Sequence, residues 1–134
     1  MFKDKGRVVY VDFDGTLCRF AYPALGPPLP GARKFMRSLK KRGYKAIILT
    51  SRMSSEIYTE EERAESAQIV GEWCNRHGVP FDGIDSGNSG KPVGLAYVDD
   101  RGVNFDGNYD RCLRRIEYIR AREEARFEGE DDED

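Results

Sequence analysis

Two short apolar runs that end in acids constrain this chain more than any other feature. Val8-Val9-Tyr10-Val11 runs into Asp12, and Leu95-Ala96-Tyr97-Val98 runs into Asp99-Asp100. Four consecutive apolar residues leave no polar face for water, so the first run reads as a strand buried on both faces. The segments between the runs have helical period or end a further apolar run. Ala32, Phe35, Met36 and Leu39 form one stripe of a helix that starts near Gly31 and stops at Gly43, with Lys40, Lys41 and Arg42 in its last turn. Tyr44 to Leu49 reads as a second strand ending at Thr50-Ser51-Arg52. A second helix is expected from about Glu56 to His77, capped by Ser54 or Ser55, with Ala67, Val70, Trp73, Cys74 and His77 on one face. Val79 to Ile84 holds a short third strand, and a last helix from about Tyr109 to Phe127 is expected to bury Cys112, Leu113, Ile116 and Ile119. Strands alternating with helices predict an α/β fold, a three-layer sandwich around a parallel sheet. In such sheets ligands bind beyond the carboxyl ends of the strands.

Length and composition agree with one compact domain over residues 1–127 of the 134. Apolar residues make up 39% and charged residues 34%, and no apolar run approaches the length of a membrane span. The first residues lack the apolar segment of a secretory signal, which predicts a cytoplasmic protein without a membrane partner. Cys18, Cys74 and Cys112 are odd in number and far apart in sequence, which argues against both a disulfide framework and a zinc site. Residues 128–134 contain six acids and one glycine and read as a solvated, disordered tail.

The chemistry-bearing residues fall where the apolar runs end. Asp12 and Asp14 follow the first strand, Thr50 follows the second, Lys91 lies in a glycine-rich loop, and Asp99 and Asp100 follow the fourth. Parallel neighbouring strands would bring these groups to one edge. Crowded carboxylates repel, and a hard divalent cation such as Mg2+, which prefers oxygen ligands, relieves that repulsion. With the phosphoryl oxygens neutralised, Asp12 can attack phosphorus, and Asp14 can protonate the leaving oxygen and later activate water. Thr50 and the backbone amides from Phe13 to Thr16 are placed to hold the transferring oxygens, and Lys91 supplies a point charge. Gly15, Thr16, Ser51 and Arg52 adjoin these groups and are candidate substrate contacts. Arg52 and Arg101 are equally suited to pairing with a nearby carboxylate. Each signal alone is weak, because an Asp at a strand end is commonly a turn or cap residue; their joint occurrence favours function.

The segment Val-Asp12-Phe-Asp14-Gly-Thr16 resembles the first motif of the haloacid dehalogenase superfamily. Ile-Leu-Thr50-Ser-Arg52, Lys91-Pro92 and Val-Asp99-Asp100-Arg101 resemble its second, third and fourth motifs, in order, across residues 8–101. The resemblance implies that Asp12 forms an aspartyl-phosphate and that Asp14 is general acid and base and gives its carbonyl to Mg2+. It further implies that Asp99 is a protein ligand of the metal, while Asp100 binds it through water or holds Lys91. An acid at position 14 marks the branch that hydrolyses phosphate esters. The gaps after the first and second motifs are too short for a cap domain, so the resemblance is to small capless members. Water exclusion then falls to the substrate, to a flap over residues 17–30, or to a second subunit of a homo-oligomer. The expected substrate is a phosphomonoester, on a small molecule or on a nucleic-acid end.

Other readings fit less well. Gly87-Asn88-Ser89-Gly90-Lys91 lacks the first glycine and the final Ser or Thr of a phosphate-binding P-loop. A signalling receiver domain needs its acidic pair on an earlier strand than its phosphoacceptor. A module that binds a phosphate ligand or a nucleic-acid end with little turnover is the main alternative. The cations of the first helix (Arg33, Lys34, Arg37, Lys40, Lys41 and Arg42) and of the last read as solvated faces, the last interleaved with Glu117, Glu123 and Glu124. His77 at a helix end and Trp73 read as structural.

Overall fold

A computed structural model describes residues 5–128. The chain divides into two compact units, Met1–Asp100 and Arg101–Asp134. The first unit holds four strands: β1 (Val8–Val11), β2 (Lys45–Ile48), β3 (Gly83–Ile84) and β4 (Ala96–Val98). It also holds two helices, α1 (Ala32–Lys41) and α2 (Glu60–Arg76). The second unit consists of a loop and α3 (Tyr109–Phe127).

All strand pairings are parallel, in the order β3-β2-β1-β4, which makes the first unit an α/β fold. From β1 the chain steps outward through β2 to β3, then returns across the sheet to place β4 on the other side of β1. The order therefore reverses between β1 and β4. That reversal opens a crevice at the carboxyl ends of those two strands, the place where ligands bind in open parallel sheets.

Alternation along the strands sorts the side chains. Val9, Val11, Ala46 and Ile48 join Ala32 and Met36 of α1 and Val70, Trp73 and Cys74 of α2 in one buried cluster. Phe13, the residue between Asp12 and Asp14, is fully buried and packs edge-on against Trp73, 4.9 Å between centroids. Tyr10, on the opposite side of β1 from Val9 and Val11, stacks on its register partner Tyr97.

Several boundaries differ from the sequence expectation. Helix α2 starts at Glu60, because Thr59 closes a capping box with Glu62: the Glu62 amide donates to Thr59 Oγ1 and the Thr59 amide to Glu62 Oε1. The expected caps Ser54 and Ser55 fall in the preceding turn. Strand β3 keeps only the last two residues of the expected Val79–Ile84 segment, since the Val79 amide donates to the Cys74 carbonyl in closing α2 and Asp82 turns its carboxylate onto Lys40 and the Ala46 amide. The Pro-rich stretch after β1, where the prolines forbid a regular helix, forms turns with isolated bridges from Cys18 to Asp14 and Pro28. Helix α3 has the expected limits, but none of its residues is buried; Leu113 and Ile116 are exposed, Cys112 and Ile119 half-buried. The expected acidic tail lies beyond the described residues except for Glu128. No described helix is long and apolar enough to cross a membrane.

Candidate active site

Because the strands are parallel, the residues that follow them share one edge. Asp12 leaves β1, Thr50 lies just past β2, and Asp99 and Asp100 leave β4. The Asp12 amide donates to the Val98 carbonyl at 2.9 Å, tying the ends of β1 and β4 together. Four carboxylates thus interact around the crevice. Burial pushes the Asp12 carboxyl up to about 7, and the charges of Asp100, Asp14 and Asp99 push the same way against a hydrogen bond from the Phe13 amide. Thr16 Oγ1 donates to Asp12 Oδ2 at 3.4 Å.

Asp14 has a different environment. The Arg52 guanidinium grips it with Nε to Oδ2 at 2.7 Å and Nη2 to Oδ1 at 2.8 Å. The same guanidinium donates to the carbonyls of Pro23 and Ala24 and lies over the Tyr22 ring at 4.8 Å. Arg52 is only 5% exposed, and a charge at that depth requires such partners. Burial alone would weaken its hold on the proton, but Asp14 more than offsets this and the guanidinium titrates above its ordinary range. One arginine therefore joins the residues after β2, the general acid/base candidate after β1, and the 17–30 flap.

The flap is anchored on its other side as well. Trp73 Nε1 donates to the Gly26 carbonyl at 2.9 Å. Gly26 has no room for a side chain: a Cβ there would lie 2.1 Å from the Arg19 carbonyl oxygen. Tyr22 and Tyr58 join through their hydroxyls, linking the flap to the turn before α2.

Not every expected site residue is used as the sequence suggested. The Gly15 amide donates to Cys18 and the Thr16 amide to Phe13, so neither is directed at a ligand. Among the amides from Phe13 to Thr16, that of Phe13 hydrogen-bonds the Asp12 carboxyl, and that of Asp14 has no partner among the described residues. Thr50 is buried and its hydroxyl oxygen accepts the Arg52 amide, a cap for the turn Ser51–Met53. Its own hydroxyl proton remains available for a ligand. Ser51 opens that turn. The Lys91 ammonium lies over the Tyr97 ring, 4.6 Å from its centroid, and makes no ion pair with Asp12 among the described residues. Arg101, in the second unit, pairs with Glu123 at 3.0 Å.

No group of three or more acidic, His or Cys side chains among the described residues is gathered closely enough to hold a metal ion as it stands. The donor chemistry nevertheless fits a hard cation. Asp12, Asp99 and Asp100 supply oxygens without nitrogen or sulfur, and the nearby Arg52 is committed to Asp14.

No family model matches the chain, and no curated protein matches it. Among solved structures, it is similar to a conserved protein of Bacteroides thetaiotaomicron, at 23% identity and a TM-score of 0.55, over 87% of this chain and 92% of that one. That likeness concerns the fold.

Proposed function

We propose that this chain is a Mg2+-dependent phosphomonoester hydrolase of the haloacid dehalogenase type, acting through an aspartyl-phosphate on Asp12. The observation that carries the reading is the convergence of Asp12, Asp14, Asp99 and Asp100 on the crevice where the strand order reverses. The sequence motifs, which include the same four acids, support it as well.

Asp12 sits at the carboxyl end of the central strand, backed by the buried Phe13, so its carboxylate faces the crevice from a rigid base. A carboxylate oxygen of Asp12 attacks phosphorus, the bond from phosphorus to the ester oxygen breaks, and Asp14 gives that oxygen a proton. In the second half Asp14 takes a proton from water, which displaces Asp12 from phosphorus and releases inorganic phosphate. Mg2+, held by Asp12, Asp99 and the Asp14 carbonyl with Asp100 nearby, would neutralise phosphoryl charge as attack proceeds. Thr50 and the amide of Asp14 hold the transferring oxygens, while the Phe13 amide holds the Asp12 carboxyl. The Arg52 fork suits an ionised Asp14, the form needed to accept the proton of water; donation in the first half requires Asp14 to turn from that fork. Lys91 reaches the phosphoryl group only by leaving the Tyr97 ring.

The fork on Asp14 and the position of Lys91 also favour a second reading, a phosphate-binding module with little turnover. Release of inorganic phosphate from an aryl phosphate decides between them. Wild type is expected to release phosphate with Mg2+ and not with chelator, and Asp12→Asn to release none. Full activity in Asp12→Asn refutes the mechanism. Binding of phosphate by wild type without turnover of any ester selects the binding module.

A further inference from the structure

The charges of the first unit are segregated along the sequence. Residues 15–55 contain nine Lys and Arg and not one Asp or Glu, in a chain with 24 acids. This acid-free segment comprises the flap, α1, β2 and the turn Ser51–Met53. A helix that merely keeps its outer face wet interleaves signs, as α3 does where Arg120 pairs with Glu117 and Glu124. Helix α1 does not. Its buried side is Ala32 and Met36 with Leu39 half-buried, and its opposite side presents Arg33, Lys34, Arg37 and Lys41, all exposed.

Two of the nine cations form ion pairs among the described residues, Lys40 with Asp82 and Arg52 with Asp14, and the charge of Lys45 also acts on Asp82. Arg33 and Arg37 lie against Gly78 at the carboxyl end of α2, whose dipole accounts for some of their charge. Lys34, Lys41 and the exposed Arg19 on the flap make no ion pair among the described residues. Arg33, Arg37 and Lys41 recur every fourth residue, about 6 Å apart along the helix axis. That step is comparable with the distance between successive phosphates of an extended strand. Alongside, Arg37 and Lys40 border a groove of about 460 Å³ next to Asn75, Gly78 and Pro80.

The direction of the row connects it to the catalytic edge. Helix α1 is a crossover between parallel strands, so it begins at the carboxyl edge of the sheet and ends at the other. Its start is tied to the residues after β1, since the Leu29 amide donates to the Leu17 carbonyl and the Ala32 amide to Leu29. We propose that the basic face of α1 is a track for a single-stranded polynucleotide, whose terminal phosphate is the group taken by the crevice. The identity of the substrate rests on the phosphatase reading above; the track does not. A row of unpaired cations leading to an open carboxylate site suits a chain of phosphodiesters that ends in a monoester.

The test separates the two. Binding of an unphosphorylated oligothymidylate of about 16 nucleotides, one site size, is followed by fluorescence anisotropy across a salt series. The triple variant Lys34→Gln/Arg37→Gln/Lys41→Gln is compared with a control in which Arg114, Arg115 and Arg120 of α3 are changed to Gln. Each phosphate neutralised on a single strand contributes about 0.7 to the salt slope, so the α1 variant should flatten the slope by about 2 and lose about a hundredfold in affinity at 0.1 M salt. The α3 control should retain its affinity within about threefold. Absence of binding by wild type at low salt overturns the proposal, as does an equal loss in both variants. Binding to phosphatidylserine vesicles without binding to the oligonucleotide overturns it in favour of an anionic membrane surface. In parallel, the α1 variant should hydrolyse an aryl phosphate like wild type while losing about a hundredfold in kcat/KM on oligonucleotides phosphorylated at either end. Equal kcat/KM on those oligonucleotides refutes the substrate assignment. Intact, salt-sensitive binding with no phosphate released from any substrate leaves the track standing and refutes the phosphatase reading.

Discussion

Replacing Asp12 by Asn should stabilise the folded chain at neutral and alkaline pH and leave it nearly unchanged in acid. The carboxyl titrates at about 7 in the folded state against an ordinary 3.8, raised by burial and by Asp100, Asp14 and Asp99. Between those values the folded state holds a proton that the unfolded chain has released, so stability falls as pH rises. Above both values the buried charge on Asp12 destabilises the fold by about 2–4 kcal/mol once partial solvent access is allowed for. Asn keeps an oxygen for the Thr16 hydroxyl and removes the charge. Urea unfolding in chelator at pH 4 and pH 8, for wild type and Asp12→Asn, reads the difference directly. The variant should gain at pH 8 and show little change at pH 4. Mg2+ should stabilise wild type at pH 8 by the linkage of binding to folding, and the variant less. A difference between the two proteins that is the same at both pH values refutes the argument, because it would show that Asp12 does not titrate abnormally in the fold.

Three further outcomes follow from the geometry. Arg52→Ala leaves Asp14 as an unpaired carboxylate, 11% exposed, and should cost about 3–5 kcal/mol in urea unfolding; Arg52→Lys should recover only part, lacking the fork. Gly26→Ala should destabilise by several kcal/mol because its Cβ meets the Arg19 carbonyl, whereas Gly90→Ala, with nothing within 4 Å of the added atom, should be nearly neutral in the same assay. Burial pushes the Cys18 thiol up to about 11 and the Cys74 thiol up to about 12, so alkylation at pH 8 read by mass spectrometry should modify Cys112 first and the other two only on unfolding.

What the sequence disclosed was governed by range. The strand ends and their acids were legible because an apolar run and the residue after it are local facts, and parallel pairing then carries them to one edge. The start of α2 was also local: Thr59 and Glu62 stand three apart in the capping-box pattern, but Ser54 and Ser55 offered an earlier cap for the same stripe. The exposure of Leu113 and Ile116 shows the limit of periodicity, which says which residues share a face and not what covers it. The amides of Gly15 and Thr16 are consumed by a turn whose closure depends on Cys18 and Phe13, a pattern no composition rule supplies. The partner of Arg52 was least accessible, because Asp14 lies 38 residues away and several cations and carboxylates competed for the pairing.

That pairing changes how an open site can work. A capless crevice has no lid of its own, yet here the flap, Asp14 (the proposed general acid/base) and the turn after β2 meet on one guanidinium. The carbonyls of Pro23 and Ala24 and the carboxylate of Asp14 share its donors, so displacement of any one alters the hold on the others. Trp73 limits that freedom by fixing the flap at Gly26, next to the same Phe13 that backs Asp12. The flap is therefore coupled to Asp14 through Arg52 and to Asp12 through the core. A ligand phosphate that competed for the Arg52 fork would release Asp14 and loosen Pro23 and Ala24 together, which joins loading of the site to the side-chain movement that proton donation requires.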